Sequence, residues 1–523
     1  MTDRRLGLAE RIRAVLSIEP SKGAVEQRGR WRSYADLAQL MAQVDAELTA
    51  RKLGEGAPVG MLLRNRPAHL AALLGVLTTK RCVVTINPFQ SPDKVARDIE
   101  ALRCPVLIAD EQDWQIPEIR QAVEACGSAG LALRETSSET SSEIDRLAIA
   151  AVPEFAEVGA GPYHEPLPGI AVLMLTSGTT GPAKRIPLQY KNFEKALLDA
   201  LFYEAGGQEI GLKRAVVVAM NPLVHIGGIW ATVSAIIAGR SICLLEKFAV
   251  DIWVDAIKRY RPKLVPLNPT AAKMIFDANV AKEDLASLIA IRSATAPLDP
   301  TFREAFEARY GIPVLDAYGA TEFAGGVAGW TLADHKEFAR SKRDSVGRVQ
   351  PGCQLRVIDP QTFAELPAGT VGLLEVRAQH VGNGDWVRTT DLAEVDADGF
   401  LYIRGRADDA IIRGGFKVLP GDVAKVFLLH PGVQDVSVVG IKDERLGAVP
   451  VVAVELKAGV ARPDETESMQ TESIQTELMQ WARKHLTSYM VPVAIKVVDE
   501  LPRTPSHKVS QPGVRELFGG EKP

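Results

Sequence analysis

The sequence is poor in several features that would settle its class at once. Cysteine is scarce: Cys82, Cys104, Cys126, Cys243 and Cys353 are five among 523 residues, scattered, odd in number and never at metal-ligand spacing. That excludes a disulfide framework or a cysteine-built zinc site. Most of the five sit in apolar strand-like runs and read as small core residues of a protein in a reducing compartment. No long block of one charge occurs and the formal net charge is −4, so neither nucleic acid nor an anionic membrane is expected as the main partner. The longest mostly apolar stretch, Ile226 to Gly239, falls short of the roughly 18 residues that a membrane span needs. The opening Met1-Thr-Asp-Arg-Arg5 has charge but no following apolar region, so neither an integral membrane segment nor a secretory signal is read, and a soluble cytoplasmic protein is the expectation.

What is present is ordinary globular material, 46% hydrophobic and 24% charged, in a chain long enough for two or more units. Ser33-Tyr-Ala-Asp36 is a capping box, and Leu37, Leu40, Met41, Val44 and Leu48 follow at helical spacing. Pro58 to Leu63, Cys82 to Ile86 and Val106 to Asp110 read as strands, with helices over Pro67 to Leu77 and Pro92 to Leu102 between them. That alternation implies a parallel sheet. Residues 127 to 168 lose the pattern and read as a surface insertion around a Ser/Thr/Glu tract. Strands resume at Ala215 to Ala219, Ser241 to Leu245, Lys263 to Leu267, Ile291 to Ser293 and Pro313 to Asp316, which together fit a second parallel sheet. From Val346 the texture turns to short strands and hairpins, Asp398-Gly399 marking a turn. A final unit of mixed α and β signals starts near Gly405, so the boundary falls between 1–404 and 405–523.

The run Leu173-Met-Leu-Thr-Ser-Gly-Thr-Thr-Gly-Pro-Ala-Lys-Arg185 carries the strongest chemical signal. An apolar strand breaks into glycines that let backbone amides approach an anion, with hydroxyls from Thr176, Ser177, Thr179 and Thr180 and a point charge from Lys184. A nucleoside triphosphate is the implied ligand. It is not a Walker A loop, which needs the glycine, lysine and hydroxyl residue adjacent; a plain surface loop is the competing reading of the stretch alone.

Four further clusters follow in order: Asn221-Pro-Leu-Val-His-Ile-Gly-Gly-Ile-Trp230, Asp316-Ala-Tyr-Gly-Ala-Thr-Glu322, Trp386-Val-Arg-Thr-Thr-Asp391 with Gly405-Arg-Ala-Asp-Asp-Ala-Ile-Ile-Arg-Gly-Gly-Phe-Lys417, and Leu501-Pro-Arg-Thr-Pro-Ser-His-Lys508. With the glycine-rich loop they resemble the adenylate-forming superfamily of acyl-CoA synthetases, luciferases and peptide-synthetase adenylation domains, over about Trp31 to Val514. The resemblance implies an α/β fold: a large N-terminal domain of two α/β sheets plus a β-rich subdomain, and a small mobile α+β C-terminal domain. It implies ATP, Mg2+ and coenzyme A as cofactors and co-substrates. A carboxylate attacks the α-phosphate of ATP, and a thiol then displaces AMP.

By the same resemblance Thr176, Ser177, Gly178, Thr179, Thr180 and Lys184 would hold phosphates. Ala296, Ala317 and Tyr318 would border the adenine, and Asp391 and Arg406 the ribose. Glu322 would ligate magnesium beside Thr321, Asp408 would be the hinge, Gly414 and Gly415 would line the pantetheine tunnel, and Lys508 would stabilise the first transition state. His225 is read equally as a gate and as packing at the mouth of an acyl pocket formed by Gly227, Gly228, Trp230, Thr295 and Phe323. Those pocket residues are small or apolar, so a hydrophobic carboxylic acid is expected. Departures from the superfamily pattern occur at Pro182-Ala-Lys-Arg185, Ala294-Thr295-Ala296-Pro297, Thr390 and His507; none removes a chemically essential group.

The stretch Met220 to Gly227 offers no acid for a substrate ammonium, which disfavours amino acids. No carrier segment follows position 523, so a free acceptor thiol is expected, in a monomer or homodimer. β-Lactone formation, luciferase-like oxidation and carrier loading share the adenylation half-site and stay open. A nucleotide-binding protein that had lost catalysis would lack Lys508 or Glu322, and both are present.

Overall fold

The computed structural model describes residues 6–135, 146–175, 185–201, 209–294, 296, 298–323, 325–378, 381, 384–414, 416–457, 468–504 and 508–519. The first sheet runs, in spatial order, Leu147–Ala151, Ala129–Glu135, Val106–Asp110, Pro58–Leu62, Cys82–Ile86, Ile170–Leu175 and Arg185–Gln189. Its inner pairings are parallel and its two outermost pairings antiparallel. The inner strands Pro58–Leu62, Cys82–Ile86 and Val106–Asp110 are buried at every position. Burial on both faces is why they read as continuous apolar runs, not alternating ones. Residues 127 to 168 differ from the sequence reading, because Ala129–Glu135 and Leu147–Ala151 form a hairpin at the sheet edge. The low-complexity tract between them concealed the return strand; its residues 136–145 lie outside the described residues.

The strands after residue 209 do not form one parallel sheet. Val216–Ala219 and Ser241–Leu244 pair with an N-terminal hairpin, Gly23–Gln27 and Arg30–Ser33, which sequence periodicity did not disclose. Leu264–Pro266, Ala290–Ser293 and Val314–Ala320 are mutually parallel and continue, antiparallel, into Gly325–Gly329 and Arg348–Val349. Strand Val314–Ala320 thus reaches beyond Asp316 and carries Tyr318. A fourth, wholly antiparallel sheet contains Cys353–Ile358, Gly372–Ala378, Val387–Val395 and Leu401–Arg406. The last sheet contains Ile411–Arg413, Phe416–Val418, Val433–Asp443, Gly447–Leu456 and Ala494–Val498. Strand pairing of the fourth sheet therefore ends at Arg406 and that of the fifth begins at Ile411. Among the described residues no helix is long and apolar enough to cross a membrane. All five cysteines are free and buried.

Helix Pro67–Thr78 is buried along its whole length. An all-round apolar helix needs protein on every side. Its core cluster joins strands of the first sheet, such as Val59, Val83 and Val172, to Ile229, Val233 and Ile236 of helix Ile226–Ile237 and to Ile242 of the second sheet. Strand ends at this junction leave carbonyls without ladder partners, and Asn65, 2% exposed, satisfies them. Its side-chain amide donates to the carbonyls of Leu245 (2.9 Å) and Asn221 (3.1 Å), while its oxygen accepts from the Leu223 amide (2.8 Å). Beside it, Arg66 bridges Asp110 (2.6 Å) of the first sheet and Glu246 (2.9 Å).

Replacing Asn65 by Ala strands three buried backbone groups at once. The expected outcome is a loss of about 3 kcal/mol, the order for unsatisfied buried polar groups, read as a lowered urea midpoint at unchanged m-value. A midpoint equal to the parent's would show that Asn65 does not join the sheets.

Candidate functional site

The Asn65 clip fixes residues 221–223, and the chain then turns directly into helix Ile226–Ile237. His225 is its N-cap, in extended conformation, and its carbonyl accepts from the Gly228 (3.0 Å) and Ile229 (3.1 Å) amides. Gly228 is required by close approach: a Cβ there would lie 2.1 Å from the Pro222 carbonyl oxygen. Its smallness therefore serves the seating of the helix on the preceding loop. Gly227 faces the Asn221 side chain. Half-buried Trp230 lies against Gly325, where a Cβ would sit 3.6 Å from the indole ring.

Lys508 belongs to the C-terminal unit, yet it stands close enough to His225 for its charge to act on the imidazole. Burial first, and the Lys508 charge second, pull the His225 pKa down to about 4, so the ring is neutral at pH 7. Burial likewise lowers the Lys508 pKa. A lysine among proline, serine and histidine near a C-terminus is ordinarily a solvated charge, but Lys508 is partly buried. The Thr504 amide donates to the Lys508 carbonyl (2.7 Å) and the Lys508 amide to the Thr504 hydroxyl (3.2 Å).

A second group assembles where the third and fourth sheets meet. The Tyr318 hydroxyl donates to Asp391, and the Arg406 guanidinium lies 3.9 Å from the same carboxylate. Arg406 also forms two hydrogen bonds to Asp408, both 2.9 Å, and donates to the Thr390 hydroxyl (2.5 Å). Thr390, a departure from the superfamily pattern, is thus used to hold the arginine. Burial raises the Tyr318 pKa and the Asp391 charge adds to it. Burial also raises the Asp391 pKa, against the opposing Tyr318 hydrogen bond and Arg406 charge.

Thr321 and Glu322 lie on the turn Thr321–Phe323, with Glu322 exposed and its charge felt by Tyr318. Phe323 is 1% exposed and packs with Val327, Leu374 and Val376 in the core of the β-rich sheet; it is a packing residue, and its apolar character alone had placed it in the pocket reading. Ala296 and Ala317 are half-buried, Ala317 on strand Val314–Ala320. Gly414 holds φ +56 beside Leu446. Thr176, Ser177, Gly178, Thr179, Thr180, Lys184, Thr295, Gly415 and His507 lie outside the described residues.

Adding a methyl at Gly228 forces helix Ile226–Ile237 off its loop. Gly228→Ala is expected to lower stability by about 1–3 kcal/mol, the usual cost of overpacking, in a chemical denaturation series. A midpoint shift within error of zero would contradict the close approach.

Comparison with known proteins bears on this arrangement. A family model described as AMP-binding enzyme matches residues 13–386, and one described as AMP-binding enzyme C-terminal domain matches residues 422–508. A 4-coumarate–CoA ligase-like protein (number 9) of Oryza sativa subsp. japonica is 26% identical over 94% of this chain and 88% of its own. The 4-coumarate–CoA ligase 1 of Petroselinum crispum is 26% identical over 95% and 91%. Among solved structures, ATP-bound MatB from Rhodopseudomonas palustris superposes with a TM-score of 0.78 at 23% identity, covering 98% of this chain and 99% of that one. The amide bond synthetase McbA from Marinactinospora thermotolerans gives 0.75 at 26%, covering 98% and 100%.

Proposed function

Since the chain belongs to the AMP-binding enzyme family, we propose that it is an acid–thiol ligase. It activates a carboxylic acid with ATP to an acyl adenylate and passes the acyl group to coenzyme A. The observation that carries the reading is that Lys508, from the C-terminal unit, lies near enough to act by its charge on His225 at the start of a helix in the N-terminal unit. The relatives named as CoA ligases support the thiol acceptor; the likeness to an amide synthetase makes an amine the second acceptor to try.

In the first half-reaction a substrate carboxylate oxygen bonds to the α-phosphorus as the bond to the bridging oxygen of pyrophosphate breaks. Negative charge grows on the α-phosphoryl oxygens. The Lys508 ammonium and the amino end of helix Ile226–Ile237 supply positive potential there, within a desolvated crevice where it acts strongly. Neutral His225 leaves the approaching carboxylate an uncharged neighbour. Tyr318 offers an aromatic face to the purine, and Asp391, bonded to Tyr318 through one oxygen, keeps acceptor capacity for ribose hydroxyls. Glu322, exposed on its turn, would hold a magnesium ion as a single carboxylate ligand, a donor that such a hard cation accepts. When bound, that ion neutralises phosphate charge. In the second half-reaction the thiol sulfur bonds to the acyl carbon and AMP leaves. Asp408 would be the hinge and Gly414 part of the pantetheine path. The acid's apolar body would lie along Trp230 and Gly325.

The reading is tested by pyrophosphate release over a panel of carboxylic acids, followed by thioester detection with coenzyme A. Lys508→Ala is expected to slow adenylation by a factor on the order of 10²–10³. Thioester formation from synthetic acyl adenylate should stay near the parental rate. Removing a desolvated cation should not cost folding stability. Near-normal adenylation, or equal loss in both half-reactions, would sink the role given to Lys508.

Adenylation needs Lys508 protonated, so its rate falls as pH rises through the lysine's pKa. Burial lowers that pKa, and the basic limb should therefore lie below the ordinary 10.5 and vanish in the residual activity of Lys508→Ala. His225, at about 4, should give no inflection near 6.5. A pH profile with a limb at 6.5 would assign the charge change to the wrong group.

A further inference from the structure

Lys273 has no part in the chemistry so far described, yet its hydrogen bond crosses from one unit of the chain to the other. It stands on helix Pro269–Asp277, which Asn268 caps by accepting from the Ala271 amide (2.8 Å). Ala271, Ala272 and Ile275 bury the inner face of that helix in a core shared with Leu285, Leu288 and Phe306. Lys273 is left half-buried at the rim, and its ammonium donates to the backbone carbonyl of Gln434 in the C-terminal unit.

Gln434 can be reached because strand Val433–Asp443 bulges there. Val433 pairs with Leu456 and Asp435 with Glu455, so Gln434 faces no residue of the neighbouring strand, and a bulged residue stands outside the ladder. The same bulge holds the segment that carries Lys508. Asp435 accepts from the Arg503 guanidinium (2.8 Å), which also lies 3.8 Å from Glu455. Arg503 in turn pairs with Val509 in an antiparallel bridge, and the Ser510 amide donates to the Pro502 carbonyl (2.7 Å). With the two hydrogen bonds between Thr504 and Lys508, these contacts tie the Lys508 backbone to the bulge. A continuous path thus runs from Lys273 through Gln434, Asp435 and Arg503 to Lys508.

The position of the contact gives it leverage. Gly440 and Gly447 line one recess with Asp408, the residue assigned to the hinge. Gln434 lies farther along the strand that contains Gly440, about 20 Å away at roughly 3.3 Å per residue. A connecting turn leaves rotation about its backbone bonds open, whereas one contact held at that radius fixes the angle. A charged donor also makes a stronger hydrogen bond than a neutral one.

We propose that Lys273 is a positioning residue for adenylation: by holding the bulge at Gln434 it sets the orientation of the C-terminal unit in which Lys508 lies near His225. Thioester formation, which under the hinge role of Asp408 follows a rotation of that unit, does not need the contact. This inference rests on the reading of the chain as an acid–thiol ligase.

The test measures both half-reactions of the full-length protein: pyrophosphate release with ATP, magnesium and an accepted carboxylic acid, and thioester formation from synthetic acyl adenylate and coenzyme A. Lys273→Met keeps the aliphatic stem and removes the donor. It should slow adenylation about 10-fold, the lower end for a hydrogen bond to a charged group, and leave thioester formation near the parental rate. Lys273→Arg should recover most of the loss. In the Lys508→Ala background the same methionine should cost adenylation nothing further, because its effect passes through Lys508. Melting curves check folding; should the methionine variant not fold, Asp435→Asn, which loosens Arg503, must show the same split between half-reactions. Parental adenylation in Lys273→Met, equal losses in both half-reactions, or a full further loss on top of Lys508→Ala overturns the positioning role and leaves acid activation standing. A parent that releases no pyrophosphate with any acid overturns both.

Discussion

The site depends on how two sheets are made to meet over helices that are apolar on every side. Helix Pro67–Thr78 has no solvent face, so it brings strand ends of both sheets into a dry junction where carbonyls 221 and 245 would go unpaired. Asn65 resolves this with one side chain that donates to both and accepts from Leu223. Buried polar groups left without partners cost about 1–3 kcal/mol each, so the alternative to this clip is a different chain path. The path it enforces reaches His225 two residues after Leu223. Position of the N-cap, direction of the helix and placement of Trp230 all follow from a hydrogen-bonding requirement in the core, with Gly228 permitting the last close approach.

On that frame the crevice separates its charges. On one side, Lys508 and the helix start present positive potential and His225 is held neutral. On another, Asp391 is shared between the Tyr318 hydroxyl and the Arg406 guanidinium. Anionic phosphate chemistry suits the first and a hydroxyl-rich ligand the second. Among the described residues no carboxylate is paired with Lys508, which is consistent with the proposed role of its ammonium toward a charge that develops only during reaction.

Much of this was legible in the sequence, and the exceptions have physical causes. The parallel strands were visible because burial on both faces makes them continuous apolar runs, and helix Tyr34–Ala50 because Ser33 and Asp36 cap it reciprocally. The division of strands between sheets was not, because Gly23–Gln27 pairs with Ser241–Leu244 across more than two hundred residues and no local pattern encodes such a partner. Phe323 looked like pocket lining because an apolar residue after a functional motif carries no mark of which side it faces. The partial burial of Lys508 has no local sign between Leu501 and Lys508, because its environment comes from another unit of the chain.

The arrangement around Arg406 links the ribose side of the crevice to the segment between the fourth and fifth sheets. Arg406 is the last residue of its strand, and within two residues the chain has left the sheet. Its guanidinium is held at once by Thr390 from the neighbouring strand and by Asp408 from the connecting turn. Backbone rotation at Asp408 would carry its carboxylate away from a guanidinium that Thr390 and Asp391 retain. The two Asp408 hydrogen bonds therefore hold the connecting turn against Arg406, and the exposed position of Asp408 limits their strength, since ion pairs in water contribute little. Under the hinge role proposed for Asp408, a weak latch would suit a reversible change of arrangement, since a strong one would have to be outweighed at every turnover.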